Sequence, residues 1–199
     1  MRQIVIGLTG GTGCGKTTAL NVLEELGAAV IDCDALYHEM LRSDRELVAA
    51  IAAAFPGVVE DGVLQRKKLG AVVFSDPAQL QRLNGITTPR IVAAVKKQVE
   101  AEAPRPCAID AVGLTESGLG ALCTHTVAVT APREARIRRL MVREGISEDY
   151  AKLRIDAQKE NEVFAADCGM TIENHYETAE DFAACCRNVF SEMLKEEPS

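Results

Sequence analysis

The chain has 199 residues, 47% of them hydrophobic and 26% charged, which is the make-up of one globular domain and excludes both wholesale disorder and a multidomain machine. With 4% aromatic residues and no tryptophan, the core must be aliphatic. Twenty-nine acidic against 22 basic residues give a net charge of −7, which disfavours general attraction to nucleic-acid phosphates or anionic lipid; neither nucleic acid nor membrane is expected as a partner, and any anion site must be local.

Gln3 to Leu8 is a continuous apolar run that suits a strand buried on both faces. A glycine-rich turn follows, and then Thr17 to Leu26 carries apolar residues at 19, 20, 22, 23 and 26, the stripe of a helix, with Gly27 as its cap. Ala28 to Ile31 resumes a strand, so one βαβ unit is complete and the class is α/β. Residues 35–103 show no further buried strand; they read as helices broken at Pro56-Gly57, Asp61-Gly62, Asp76-Pro77 and Pro89, an inserted helical lobe. Cys107 to Ile109, Thr126 to Val129 and Met170 to Ile172 supply three more strands, about five in all. The last helix, Ala179 to Leu194, places Phe182, Cys185, Cys186, Val189, Phe190 and Met193 on one core-facing side.

Seven cysteines, at 14, 33, 107, 123, 168, 185 and 186, form no CxxC pair and suggest neither a disulfide framework nor a zinc cluster. With no signal-peptide core and no window approaching a membrane span, a cytoplasmic protein is expected. A homo-oligomer is left open.

Gly10-Gly11-Thr12-Gly13-Cys14-Gly15-Lys16-Thr17 satisfies GxxxxGK[ST] between a strand and a helix, the context its mechanism requires. Glycines let the backbone aim its N–H groups at phosphate oxygens, and the opening helix adds its positive dipole end. On this reading Gly11, Thr12, Gly13, Cys14, Gly15, Lys16, Thr17 and Thr18 bind the nucleotide. Lys16 reaches the β- and γ-phosphates, and the Thr17 hydroxyl ligates Mg2+. The expected fold is a P-loop NTPase-type open parallel sheet flanked by helices.

A phosphate cradle does not choose the acceptor. Asp32 and Asp34 close the second strand, at the end of the sheet where ligands bind. Asp34 starts the next helix, either capping it or orienting an acceptor hydroxyl and taking its proton, and Asp32 lies nearer the metal. Asp110, after the third strand, is a second metal candidate. Asp110-Ala-Val-Gly113 also fits the DxxG switch element of GTPases, but NKxD is absent from the chain. Residues 131–159 form a basic island of eight Lys or Arg against five acidic residues. There Arg136, Arg139 and Arg143 share one helical edge beside an Ile137/Leu140/Met141 stripe, and Arg154 and Gln158 form a second polar face. Guanidiniums on a mobile segment suit the charge of a transferred phosphoryl group, so 132–159 reads as a lid with Arg139 and Arg143 as catalytic candidates.

The assembled pattern resembles the dephospho-coenzyme A kinase family over almost the full length. IGLTGGTGCGKTT, then Leu26-Gly27-Ala-Ala-Val-Ile-Asp32-Cys-Asp34, is similar to the family's opening, whose second aspartate is the catalytic base, which implies that role for Asp34. Leu64-Gln65-Arg66, Leu69, Val73-Phe74 and Leu83-Asn84 resemble its acceptor-lobe segment. Arg139-Leu140 through Arg143, then Arg154-Ile155 and Gln158, resemble its lid, and Ile172-Glu173-Asn174 its stretch beside the adenine, which implies nucleotide binding for Asn174. Thr88-Pro89-Arg90-Ile91 and Val112 to Glu116 depart from the family pattern. The resemblance implies one kinase domain over 1–199, with a core of 1–34, 104–131 and 160–199, an acceptor lobe of 35–103 and the lid of 132–159. It also implies ATP-dependent phosphorylation of the ribose 3′-hydroxyl of dephospho-coenzyme A, with Mg2+. A kinase for another small hydroxyl acceptor and a nucleotide-dependent switch NTPase remain as alternatives.

Overall fold

A computed structural model of the chain describes residues 3–60 and 62–195. In chain order the strands are β1 (Val5–Thr9), β2 (Ala29–Asp32), β3 (Val59–Glu60), β4 (Val63–Leu64), β5 (Cys107–Asp110), β6 (His125–Thr130) and β7 (Met170–Glu173). The helices are α1 (Lys16–Glu25), α2 (Cys33–Ser43), α3 (Arg45–Ala54), α4 (Arg66–Val73), α5 (Pro77–Glu102), α6 (Arg133–Glu144), α7 (Glu148–Asp156), α8 (Asn161–Ala166) and α9 (Ala179–Met193). They fall into two compact units, one of the described chain up to Ile31 and from Val99 onward, the other of Asp32–Gln98.

The first unit is built on a five-stranded parallel sheet in the order β2-β5-β1-β6-β7. Val5 stands opposite Cys107, Ile6 opposite His125 and Val127 opposite Met170. The chain lays β2 and β5 on one side of β1 and then crosses to β6 and β7 on the other, so the strand order reverses at β1. The crevice beyond the carboxyl end of a strand at such a reversal is where open α/β sheets hold ligands. Here it falls at Thr9-Gly10, where the glycine-rich turn begins. Because the sheet carries helices, its strands read as apolar runs, and β1 is buried at every position. Ile6, Leu8, Val127, Val129 and Ile172 meet Leu20, Leu23, Phe182, Cys186 and Phe190 in one cluster under α1 and α9. The expected core face of the last helix is thus correct in kind, with Cys185 and Val189 partly buried at its margin.

The second unit packs Leu47, Ile51, Phe55, Leu69 and Leu83 around a separate core. Two features differ from the sequence expectation. First, α5 is continuous for 26 residues and carries Pro89 in its interior instead of breaking there. An interior proline costs about 3 kcal/mol because it removes one helical hydrogen bond and crowds the preceding turn. Leu83, buried, and Ile86, Ile91 and Ala94, partly buried, pack on this core from both sides of the proline and together offset it, since apolar burial stabilises in proportion to the area removed from water. Second, β3 and β4 pair antiparallel, Val59 with Leu64 and Glu60 with Val63, across a turn in which Gly62 takes φ +77°. Asp-Gly between apolar residues is a hairpin signal as well as a helix break; Asp61 itself lies outside the described residues.

Among the described residues no helix is long and apolar enough to cross a membrane. Phe190 is fully buried between the sheet and α9's neighbours. Phe190→Ala should destabilise the protein by about 3–5 kcal/mol through lost transfer energy and the cavity left behind, read from the midpoint of urea unfolding.

Candidate active site

The glycine-rich turn bends because its glycines adopt backbone angles that other residues resist. Gly15, the residue before α1, sits at φ +105°, and a Cβ there would collide with the Asn174 amide and come within 3.0 Å of the Phe182 ring. Gly11 lies so close to the Arg136 guanidinium that no side chain fits between them. The turn therefore has a packed outer surface as well as an open inner one.

That outer surface is hydrogen-bonded carbonyl by carbonyl. Arg136 Nε donates to the Thr12 carbonyl (2.8 Å), Arg139 Nη1 to the Gly13 carbonyl (3.3 Å) and Asn174 Nδ2 to the Cys14 carbonyl (2.9 Å). Three successive carbonyls of the loop are thus each held by a side chain from a distant segment. The donors are themselves fixed. Arg139 Nη2 donates to Asn174 Oδ1 (3.0 Å) and to the Tyr176 carbonyl (3.0 Å). Arg136 Nη2 donates to Gln158 Oε1 (3.2 Å), and the same oxygen accepts the Thr12 backbone N–H (2.7 Å). Arg136 is only 3% exposed, and burial lowers the pKa of both guanidiniums from the usual arginine value. Arg136 was not singled out from the sequence as a site residue. Its i, i+3 spacing to Arg139 was the available signal, but spacing does not say which arginine of a stripe faces inward.

Inside the cradle, Lys16 Nζ donates to Asp110 Oδ1, with both side chains under one-fifth exposed. The strand pairing makes this contact possible: β5 runs beside β1, with Leu8 opposite Asp110, so Asp110 ends the strand next to the one that leads into the loop before Lys16. The cradle opens into a cavity of about 1280 Å³ lined by Gly10, Gly11, Thr12, Gly13, Gly15, Lys16, Thr17 and Thr18 on one side. The α6 and α7 side contributes Arg138, Arg139, Val142, Arg143, Arg154 and Gln158, and the chain after β7 adds His175, Tyr176 and Glu177.

Known proteins bear on what this cavity serves. Residues 4–180 match the family model described as dephospho-CoA kinase. The chain belongs to the dephospho-CoA kinase family. The dephospho-CoA kinase of Corynebacterium jeikeium is 39% identical over 160 residues, 78% of this chain and 82% of that one. The corresponding enzyme of Dehalococcoides mccartyi is 33% identical over 96% of this chain and 98% of its own. A crystal structure of a Thermus thermophilus protein, 31% identical, superposes with a TM-score of 0.78 over 96% of this chain and 98% of that chain. The fold is that of the P-loop kinases.

Within this family member the sequence-selected residues take distinct positions. Thr12, Gly13, Gly15, Lys16, Thr17 and Thr18 line the cavity, as do Arg139 and Arg143. Cys14 contributes its backbone only; its thiol is 1% exposed, and burial pushes its pKa up, so it is a packing group. Asn174 is buried, and its amide is used on the Cys14 carbonyl and Arg139. Asp32, not Asp34, caps α2: the chain is still extended at Asp32 (φ −83°, ψ 107°), and its Oδ1 accepts the Ala35 N–H (2.9 Å). Asp34 is exposed in the first turn of α2, its carboxylate uninvolved in that cap. In the segments that depart from the family pattern, Arg90 Nη1 reaches the Asp44 carboxylate (3.5 Å) and Val112 lines the nucleotide-side cavity.

The packing around Gly15 gives a direct test. Gly15→Ala should leave the protein folded yet weaken binding of a non-hydrolysable ATP analogue by at least about tenfold, because the added carbon displaces Asn174 from the Cys14 carbonyl and opposes the φ the turn needs. Isothermal titration calorimetry alongside circular dichroism separates the two effects.

Proposed function

We propose that the protein transfers the γ-phosphoryl group of ATP to the ribose 3′-hydroxyl of dephospho-coenzyme A, giving coenzyme A and ADP, the last step of coenzyme A synthesis. The observation that carries this reading is the family match over residues 4–180 of a chain whose GxxxxGK[ST] loop lines the cavity and has three of its carbonyls held by side chains. That match weighs against a nucleoside or nucleotide acceptor and against a switch NTPase.

Phosphoryl transfer asks a protein for positioning and for positive charge where negative charge spreads in the transition state. The loop's N–H groups and the N-terminus of α1 bind the phosphate oxygens. Lys16 follows the β- and γ-phosphates, and its ammonium pairs with Asp110. Arg139 and Arg143, both on the cavity wall, neutralise the transferred group. Asp34, exposed and free of the helix cap, takes the proton of the acceptor hydroxyl, and 35–103 forms the acceptor lobe. Mg2+ prefers hard oxygen ligands and is bound through one or two protein oxygens together with phosphate and water. The Thr17 hydroxyl and the Asp110 carboxylate fit that need, and Mg2+ held by them would neutralise phosphate charge. The cap bond of Asp32 favours Asp110 as the nearer partner. The cysteines are free, which suits a reducing cytoplasm.

Purified protein given ATP, Mg2+ and dephospho-coenzyme A should produce ADP and coenzyme A, with the new phosphate on the ribose 3′-oxygen by phosphorus NMR. Strong turnover of a nucleoside monophosphate with none of dephospho-coenzyme A would overturn the acceptor assignment. Lys16→Ala should lower kcat at least about a hundredfold, as loss of a transition-state charge contact does. Asp34→Asn should leave ATP affinity near normal while transfer falls by a similar factor; collapse of ATP affinity with transfer retained would move Asp34 out of the base role.

A further inference from the structure

Two of the arginines on the cavity wall, Arg143 from α6 and Arg154 from α7, share a single carboxylate. Arg143 Nη2 donates to Glu144 Oε1 (2.6 Å) and Arg154 Nη1 donates to Glu144 Oε2, one guanidinium on each oxygen. Both arginines line the nucleotide cavity, and Glu144 does not. Neither guanidinium has another ion-pair partner among the described residues.

Glu144 stands where local electrostatics oppose it. It is the last residue of α6, which ends on Gly145 at φ +65°, and a helix C-terminus carries partial negative charge that repels a carboxylate. The arginines compensate: hydrogen bonds from Arg143 first and then Arg154 hold the Glu144 carboxyl below the usual carboxylate range. The arginines in turn need it. Two guanidiniums brought side by side on one wall repel each other, and long exposed side chains sample many rotamers unless something holds them. One carboxylate with an oxygen for each removes the repulsion and fixes both forks. The bridge also ties the end of α6 to the last turn of α7, adding to the apolar cluster that Ile137 and Leu140 form with Ala151 and Ile155.

We propose that Glu144 is a positioning residue for phosphoryl transfer, a shared counter-ion that presents Arg143 and Arg154 together to the triphosphate. The inference rests on the kinase reading above. Its content is that the two guanidiniums act as a pair set by Glu144, not as two independent surface charges. A competing picture, in which Glu144 merely repels the nucleotide, predicts the opposite sign for its removal.

The test compares Glu144→Gln with Glu148→Gln. The second removes the same charge from the lid at a residue that pairs with Lys152 and does not line the cavity. Glu144→Gln should bind a non-hydrolysable ATP analogue roughly three- to tenfold more weakly by calorimetry and lower kcat roughly tenfold, a part of the hundredfold that misplacing a group by an ångström can cost. Glu144→Asp, which keeps the charge, should recover most of both losses, and Glu148→Gln should match the native protein. The melting temperature of Glu144→Gln should stay within about 2 °C of the native value, since exposed ion pairs contribute little to stability. Unchanged or tighter analogue binding by Glu144→Gln would overturn the proposal, as would equal losses in Glu148→Gln. Should the native protein fail to phosphorylate dephospho-coenzyme A, the acceptor reading falls, while the calorimetry still decides the role of Glu144.

Discussion

The site depends on the capture of three consecutive carbonyls, those of Thr12, Gly13 and Cys14, by Arg136, Arg139 and Asn174. A glycine-rich turn has many backbone states available, and only those that aim its N–H groups into the cavity can bind phosphate. Hydrogen bonds to three carbonyls and to the Thr12 N–H restrict those states, so less ordering entropy remains to oppose binding. The donors are suited to the task. Two are guanidiniums, whose several N–H groups bond to the loop and to a second partner together, and two fixed positive charges behind the loop raise the potential for an incoming polyanion.

This arrangement divides the basic segment into two roles. Arg136 is buried and Arg139, which also lines the cavity, is anchored at Gly13, Asn174 and Tyr176, so both brace the cradle. Arg138, Arg143 and Arg154 face the cavity from the same two helices. Gln158 joins the groups, since its carbonyl accepts from both Arg136 and the Thr12 N–H. A movement of α7 that carries Gln158 would thus reach the loop backbone directly, which physically couples the α6–α7 segment to the cradle.

The fold was legible where burial imposes one period. Runs such as Gln3 to Leu8 and Thr126 to Val129 suit strands covered on both faces, and the stripe from Phe182 to Met193 suits a helix covering a core. Pro89 and Asp61-Gly62 misled because local propensity was outweighed or had two meanings. Apolar contacts on both sides of Pro89 carry α5 through it, and the Gly62 turn closes a hairpin that two short strands of two residues each could not announce. That Asp32 caps α2, which leaves Asp34 without the capping role that was one of its two readings, has a similar reason. Where a strand runs directly into a helix, the last extended residue becomes the cap, and that depends on where the sheet stops supporting the strand.

The sequence by itself determined the α/β class, the phosphate-binding loop with Lys16 and Thr17, and the family, because glycine spacing and a lysine at a helix start are local requirements of anion binding. Only the tertiary structure decided which side chains support that loop. Arg136, Gln158 and Asn174 lie more than 120 residues along the chain from the carbonyls and N–H they bind. Their contact exists because β1, β6 and β7 are adjacent in the sheet and carry the chain segments that follow them to the same end. Pairing of that range is set by how strands assemble, and no pattern of neighbouring residues encodes it.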